Sequence, residues 1–366
     1  MSKKIFVSFG TRPEAIKLAP LIIELKKEKD LSLYVCHSGQ HDTLADDVLS
    51  FFKITPDKNL RICEGKSDMT ALTARALFAY TEAFSKTNPS AVIVHGDTLT
   101  AFASALSAFY LKIPVIHVEA GLRSFDMYSP FPEEWNRIAI DVISDCCFAP
   151  TEEAKKNLIS IGKKEEDVFV VGNTVTDALR YTVNSEYKSE YLTGNGKILL
   201  FTAHRRENIG RPILNMCKAV ERIAKEYPDI KIICPMHPNP AVRSLIVPAL
   251  SGVGNVILTE PMSVYDFQNI LSRSYLVLSD SGGIQEETAT LGVPMLIMRD
   301  TTERSEGCMS GIMKLVGTKT EDIYVNTKRL IENREEYIKM RSSAYSYGNG
   351  RVSSEIVKIL KKKIKF

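Results

Sequence analysis

The stretch IFVSFGTRPEA, residues 5–15, sets the pattern from which the fold can be predicted. Its apolar first part is typical of a buried strand, and Gly10 and Thr11 then lead into a helix with Pro13 in its first turn. Backbone N–H groups at such a helix start can receive an anion, and Arg12 and Lys17 would add positive charge there. The alternative is an ordinary tight turn with surface charges.

Short runs rich in valine and isoleucine recur along the chain between longer amphipathic stretches, which is typical of parallel strands alternating with helices. The predicted strands lie near residues 5–10, 33–38, 91–97, 114–119, 146–150 and 168–172, and again near residues 198–204, 230–236, 256–260, 276–280, 294–298 and 313–316. The polar stretch between the two sets contains the turn sequence TGNG, residues 193–196. The pattern therefore predicts two domains in tandem.

The fold class is α/β, with two Rossmann-like, doubly wound domains that face a cleft at the carboxyl ends of their strands. We expect an N-terminal domain over residues 1–182, a linker over 183–197 and a C-terminal domain over 198–350. A last helix over 351–366 would pack back on the first domain.

Composition excludes several classes of protein. Lys and Arg number 47 against 44 Asp and Glu, so the net charge of +3 provides no basic field for nucleic acid. No stretch has the length and apolarity of a membrane span or a secretory signal, and a cytoplasmic protein is expected. The seven cysteines are odd in number and lack a CxxC pair, which favours free thiols.

Carboxylates follow two neighbouring strands of the first domain where each strand ends. Asp97 ends the motif HGDT, residues 95–98, and Glu119 lies in HVEAGLR, residues 117–123. Such a pair can serve as acid and base. The alternative makes Asp97 a helix cap and Glu119 a partner of Arg123.

A proline-broken loop then enters a helix at Glu133, with Arg137 one turn further on the same face. Both residues are candidates for the site. An i,i+4 ion pair that stabilises the helix start is the alternative interpretation.

The second domain begins with a strand that ends in HRREN, residues 204–208, where His204 could donate a proton beside two arginines. The stretch SDSGGIQEE, residues 279–287, has two glycines at a helix start, which suits a diphosphate. Glu287 would then accept hydrogen bonds from ribose hydroxyls, and Arg304 would add charge for the diphosphate. No GxGxxG fingerprint for a dinucleotide and no metal-ligand spacing is present.

Taken in order, these motifs resemble the non-hydrolysing UDP-N-acetylglucosamine 2-epimerases. The resemblance runs from the first strand to YGNG, residues 347–350, and rests on FGTRPEAIK (9–17), HGDT (95–98), HVEAGLR (117–123), PEEWNR (132–137), HRREN (204–208) and DSGGIQEE (280–287).

The resemblance implies a glycosyltransferase-B-type fold, a homodimer and an activity that needs no added cofactor. It also implies a set of nucleotide contacts, namely Arg12, His204, Phe267, Ser281, Gly282, Gly283, Glu287 and Arg304. Acid and base roles would fall among Asp97, Glu119, Glu133 and His204. UDP-N-acetylglucosamine, UDP-N-acetylmannosamine and UDP are the implied ligands, and the product would supply a cell-surface polysaccharide.

Relatives that their own substrate activates at a second site would, by the same resemblance, use residues matching Gln40, Arg205, Glu207 and His237. They also have a glutamine where this chain has Thr43. The departure at Thr43 speaks against allosteric activation here.

The chemistry limits the mechanism. The proton on carbon 2 of the sugar is not adjacent to a carbonyl carbon, so a nicotinamide must first oxidise a neighbouring carbon or the group on carbon 1 must leave. Elimination of UDP to 2-acetamidoglucal, with re-addition, fits the absence of a dinucleotide fingerprint. A hydrolysing 2-epimerase and a catalytically silent nucleotide-sugar sensor are the competing hypotheses.

Overall fold

The computed structural model describes residues 3–40, 42–63, 68–194, 196–343 and 347–363, with all their side chains except those of residues 42–44 and 305. The chain divides into two compact units, one of Met1–Arg180 with Tyr347–Phe366 and one of Tyr181–Ser346. Each unit is a parallel sheet flanked by helices. The predicted α/β class with two Rossmann-like domains is confirmed.

The first unit contains a seven-stranded parallel sheet of order β3-β2-β1-β4-β5-β6-β7. Its strands are β1 Lys3–Phe9, β2 Leu31–His37, β3 Lys58–Asn59, β4 Ala91–His95, β5 Val115–Val118, β6 Cys146–Ala149 and β7 Val168–Val170. Its helices are α1 Arg12–Lys26, α2 Asp42–Phe51, α3 Met69–Thr87, α4 Leu99–Tyr110, α5 Glu133–Ile143, α6 Glu152–Ser160 and α7 Val175–Thr182, which runs into the second unit, and a 3₁₀ turn covers Glu165–Asp167.

The register of this sheet brings the candidate residues to one edge. Val7 of β1 lies beside Ile93 of β4, and His95 of β4 lies beside Val118 of β5. Asp97 and Glu119 therefore follow the carboxyl ends of two adjacent strands, next to the point where strand order reverses. Strand β3 is not predicted from the sequence, because its two exposed polar residues carry no apolar signal.

The second unit contains a six-stranded parallel sheet of order β10-β9-β8-β11-β12-β13. Its strands are β8 Ile198–Thr202, β9 Lys231–Pro235, β10 Val256–Thr259, β11 Leu276–Ser279, β12 Met295–Ile297 and β13 Met313–Leu315. Its helices are α8 Arg211–Glu226, α9 Pro240–Leu250, α10 Val264–Arg273, α11 Gly282–Leu291, α12 Ser305–Ser310, α13 Thr320–Glu332 and α14 Arg334–Ser342, with 3₁₀ turns at Glu190–Leu192 and Arg206–Asn208.

The boundaries of the units differ from those expected at two places. Residues 183–197 were expected as a linker, but the N–H of Asn184 donates to Asn269 Oδ1 at 2.9 Å and Arg273 donates to the Asn184 carbonyl, so this stretch belongs to the second unit. Tyr347 and Gly350 were expected in the second domain. They belong to the first, because their carbonyls accept hydrogen bonds from Asn173 and Arg180.

The last helix, α15 Val352–Lys363, belongs to the first unit. Its start is capped by Asp177 of α7, whose carboxylate accepts the N–H groups of Val352 at 3.1 Å and Ser353 at 2.6 Å. Near its end, Lys361 pairs with Glu28. A capping carboxylate and a basic last turn both match the helix dipole, so local electrostatics favour this position of α15.

Each unit has its own apolar core. In the first, α4 presents the buried small residues Ala101, Ala105 and Ala108 to its neighbours. In the second, Phe201, Val220 and Ile232 belong to one cluster of buried side chains. Free thiols are present at Cys36, Cys146, Cys147, Cys217, Cys234 and Cys308. No helix among the described residues is both long and apolar enough to cross a bilayer.

Two glycines of the first unit have nearly the same φ angle, but only one of them lies against another segment of the chain. Gly172 has φ +92° and a methyl group there would lie 2.3 Å from the Tyr347 carbonyl oxygen, whereas Gly162 has φ +90° and open space around it. We predict that Gly162→Ala destabilises by about 1–2 kcal/mol, the cost of the backbone angle. Gly172→Ala should lower the thermal midpoint much further, since backbone atoms must move. Equal midpoints for the two variants would contradict the close approach.

Candidate active site

The turn between β1 and α1 holds a carboxylate of the protein itself. Glu14 accepts the N–H of Gly10 at 3.1 Å, the N–H of Thr11 at 2.8 Å and the Thr11 hydroxyl at 2.7 Å. The prediction that the Gly10 and Thr11 N–H groups at this helix start receive a ligand anion is therefore wrong for this pair. They are taken by Glu14 in the third position of the helix, which forms a capping box.

Glu14 also connects two neighbouring strand ends. Its other oxygen accepts the Thr98 hydroxyl at 2.8 Å, and Thr98 directly follows Asp97. Burial raises the pKa of Glu14 to about 7, although the hydrogen bonds from Thr11, Thr98 and Gly10 oppose the rise. The carboxylate thus fixes the Asp97 loop against α1.

Glu119, after β5, is buried. Lys17 of α1 forms a buried ion pair with its Oε2 atom, and Asn173 donates to the same atom at 2.6 Å. His95 Nε2 lies 3.6 Å from that oxygen. Glu119 has φ +65°, an uncommon angle for a residue with a side chain. The structure therefore brings the predicted residues Lys17 and Glu119 together.

Asp97, after β4, is partly exposed and bound to Arg137. Arg137 Nη2 lies 2.5 Å from Asp97 Oδ2, and its Nη1 atom lies 3.2 Å from Glu134 Oε2. Arg137 thus forms ion pairs with both Asp97 and Glu134. Glu133 is half-buried and is the first residue of α5.

The alternative roles for the two strand-end carboxylates are not observed. Thr98, and not Asp97, caps α4 by accepting the N–H of Ala101 at 3.0 Å. Arg123 pairs with Asp141 at 2.7 Å. Asp97 and Glu119 instead pair with Arg137 and Lys17.

A buried cluster under the two strand ends holds their backbone. His117 lies 2.7 Å from Asp141 through Nδ1 and 2.7 Å from the Gly96 carbonyl through Nε2, while Asp141 accepts the N–H of Gly121 at 3.2 Å. Burial alone would raise the pKa of Asp141, but His117 and Arg123 outweigh it and hold that pKa below its ordinary value. The loops before Asp97 and after Glu119 are joined by this cluster.

Two further predicted residues of the first unit lie at neighbouring strand ends. Arg12 Nη2 is 3.8 Å from Asp47 Oδ2, and Gln40 accepts the Thr100 hydroxyl at 2.8 Å. The side chain of Thr43 lies outside the described residues.

In the second unit, Asp280 organises the loop after β8. The buried carboxylate accepts the N–H groups of His204 at 3.1 Å and Arg205 at 3.0 Å and the Asn208 amide at 2.9 Å. His204 Nδ1 lies 3.8 Å from Asp280 Oδ1, and the His204 ring stacks on His237 with centroids 5.2 Å apart. Asp280 thereby fixes the direction of the His204 backbone.

Three arginines and two buried glutamates surround the start of α11. Arg304 pairs with Glu286 at 2.8 Å and with Glu303, while Arg299 lies 3.1 Å and Arg205 lies 3.6 Å from Glu303. Because buried guanidinium groups need partners, these carboxylates hold the arginines in place.

Gly282 leaves the room that this cluster requires. A methyl group at Gly282 would lie 2.9 Å from both Arg205 Nη2 and Arg304 Nη1, whereas Gly283 has open space. Glu287 is buried, and Ser281 and Phe267 are half-buried. Glu207 lies 3.7 Å from Arg205. The structure thus brings Arg304 and Arg205 to the helix start that the sequence indicated.

No group of three histidine, cysteine or acidic residues in the described part of the chain could hold a metal ion.

Comparison with known proteins identifies the family. The family model for UDP-N-acetylglucosamine 2-epimerase matches residues 23–361. The chain belongs to the UDP-N-acetylglucosamine 2-epimerase family. The UDP-N-acetylglucosamine 2-epimerase of Bacillus subtilis (strain 168) is 46% identical over 98% of this chain and 94% of its own. The resemblance read from the motifs is confirmed.

Two solved epimerase structures are similar in fold and sequence. The UDP-GlcNAc 2-epimerase of Neisseria meningitidis, bound to UDP-GlcNAc, has a TM-score of 0.94 and 44% identity, covering 98% of this chain and 100% of its own. The Methanocaldococcus jannaschii enzyme, in complex with UDP-GlcNAc and UDP, has a TM-score of 0.87 and 34% identity, covering 99% and 100%. This 2-epimerase family membership supports UDP-N-acetylglucosamine 2-epimerase activity.

Several residues of the candidate site are not predicted from the sequence. Asp141 and Asn173 contact the strand ends from positions far along the chain, on α5 and before α7. Glu303 follows a strand end in RDTTER, residues 299–304, and that position is the signal that could have indicated it.

Glu14 should make the stability of this 2-epimerase depend on pH. Since its pKa is about 7 when folded and 4.5 ordinarily, the folded protein binds the extra proton, and stability falls as pH rises from 4.5 to 7. We predict that Glu14→Gln removes up to about 3 kcal/mol of this fall. Thermal unfolding at about pH 5 and pH 8 measures this difference in stability. Glu153→Gln, at an exposed position of α6, is the control. A pH dependence unchanged from wild type would refute the assignment.

Proposed function

We propose that this protein interconverts UDP-N-acetylglucosamine and UDP-N-acetylmannosamine without releasing the free sugar. The observation that carries the proposal is the pair of carboxylates at adjacent strand ends, Asp97 bound to Arg137 and Glu119 bound to Lys17. Inverting carbon 2 requires removing a proton on one face and adding one on the other. Two separately held acid/base groups suit that requirement.

The proposed reaction is elimination followed by re-addition. The bond from carbon 1 to the UDP oxygen breaks, and the electron pair leaves with UDP. Positive charge developing at carbon 1 acidifies the proton on carbon 2, which passes to a protein base and leaves 2-acetamidoglucal. Protonation of carbon 2 from the opposite face and return of UDP to carbon 1 then give the epimer, so atoms and electrons balance without an oxidant.

We propose that the second unit binds the UDP moiety and the first supplies the acid and base groups. The arginine cluster at Gly282 supports this assignment, because bidentate guanidinium groups and a helix start both suit a diphosphate. Ser281, Gly283, Glu287, Phe267 and His204 complete the proposed nucleotide contacts. Glu286 and Glu303 already pair with these arginines. The binding free energy of the diphosphate would therefore be the difference between the ion pairs that it forms and the internal ion pairs that it replaces.

The proton on carbon 2 gives a direct test of this mechanism. We predict that, in heavy water and without added NAD or metal, deuterium enters carbon 2 of both UDP-sugars as they approach equilibrium. Proton NMR follows the loss of that signal. Full retention of the original hydrogen would exclude elimination, and release of free N-acetylmannosamine would indicate the hydrolysing reaction instead.

Conservative changes should separate chemistry from binding. We predict that Asp97→Asn and Glu119→Gln each lower turnover at least ~100-fold, because the shape stays and the proton-accepting capacity goes. UDP affinity by calorimetry should stay close to wild type, whereas Glu119→Gln should lower the thermal midpoint because it removes the charge that pairs with the buried Lys17. Asp145→Asn is a matched control, since Asp145 accepts the Val115 N–H at the opposite end of β5. Near-normal turnover in both variants would move the catalytic roles to Glu133 and His204.

A further inference from the structure

Asn173 lies between β7 and α7, and its side chain connects a helix start to Glu119. Its Oδ1 atom accepts the N–H of Val175 at 3.0 Å, so the amide oxygen is committed to the helix. This contact distinguishes the amide oxygen from the amide nitrogen, so the group that faces Glu119 Oε2 at 2.6 Å is Nδ2. The amide therefore donates to the carboxylate.

The backbone holds Asn173 from the other side. Its N–H donates to the Tyr347 carbonyl at 2.5 Å, where the chain returns to the first unit, and the residue is only 2% exposed. The Gly172 backbone beside it has no room for a methyl group next to Tyr347. Asn173 has little freedom to move, so it can hold the carboxylate in one place.

The donors around Glu119 converge on one of its two oxygens. Lys17 from α1 and Asn173 both contact Oε2, and His95 from β4 lies 3.6 Å from it. The other oxygen, Oε1, lies 3.8 Å from where a methyl group on Gly96 would be, on the side of the β4 end. The carboxylate is thus oriented with Oε2 anchored and Oε1 toward the neighbouring strand end.

We propose that Asn173 is a positioning residue for the epimerisation, which holds the Glu119 carboxylate in one orientation through Oε2. The inference rests on the proposed function, since it assumes that Glu119 is an acid or base. A hydrogen-bond donor on a carboxylate stabilises its charged form.

Asn173→Asp is the sharpest test, because aspartate keeps the shape and the helix cap. It removes the donor and places a second carboxylate against Glu119, which makes the charged form of Glu119 less favourable. The acid limb of the kcat/KM profile should therefore move to higher pH by about one unit or more. Turnover at pH 6 should fall at least about 10-fold, while UDP affinity by calorimetry stays near that of wild type.

Asn173→Ser removes the donor without adding charge, and serine also caps helices well. Its acid limb should shift in the same direction by less than that of Asn173→Asp. This variant carries the test if Asn173→Asp fails to fold, as judged by its thermal midpoint.

The chain offers a matched control in Asn333. Its Oδ1 atom accepts the N–H groups of Glu335 and Glu336 at the start of α14, and its Nδ2 group donates to Glu336 at 3.3 Å. Asn333→Asp thus makes the same amide-to-carboxylate change at a helix start of the second unit. Its pH profile should match that of wild type.

The outcomes separate this inference from the proposed function. Wild-type protein that exchanges no proton at carbon 2 would overturn both. Active wild type with unmoved acid limbs in Asn173→Asp and Asn173→Ser would overturn the role of Asn173 alone. An equal shift in Asn333→Asp would also overturn it, since the effect would then follow from added charge anywhere on the chain.

Discussion

A charge that is buried must find partners, and this constraint determines how the strand ends of both units are arranged. Burying a lone carboxylate is costly, so each one collects cations or hydrogen-bond donors from whatever elements lie near it. In parallel sheets the nearest elements at the carboxyl ends are the loops of adjacent strands. Glu14 therefore joins α1 to the Asp97 loop, and Asp141 with His117 joins the loops that follow β4 and β5. The contacts that satisfy each buried charge therefore also position the residues of the candidate site.

The same constraint gives opposite results in the two units. In the first, the cations Lys17 and Arg137 serve carboxylates that are proposed to exchange protons. In the second, the carboxylates Glu286 and Glu303 serve arginines that are proposed to bind phosphate. An internal partner keeps an ionic side chain oriented before the ligand arrives, which lowers the entropy cost of ordering that side chain on binding. It also weakens binding, since the ligand competes with that partner.

Much of the fold could be predicted because its signals are local. Each apolar run from Ile5 onward is long enough to mark a strand, and the pair at Lys58–Asn59 escapes because it has no apolar residue. The strand-end positions of Asp97 and Glu119 follow from the same local pattern. The partners do not. Asn173 contacts Glu119 from 54 positions further along the chain. The ion pair between Arg137 and Glu134 depends on the rotation of α5 about its axis. The hydrogen bond from the Gly10 N–H to Glu14 has a local sequence signature, the capping box formed by Thr11 and Glu14.

Elimination through a glycal makes orientation as important as basicity. In the proposed reaction the UDP-sugar loses a proton from one face of carbon 2, and the glycal then gains one on the other face while UDP stays bound. A carboxylate that swings freely would return the proton to its original face. A base anchored through one oxygen has a fixed direction of approach. The donors on Glu119 Oε2 provide that anchor from α1 and from the turn before α7, while Arg137 holds Asp97 separately. On the proposed mechanism, inversion relies on two carboxylates, each oriented by its own set of partners.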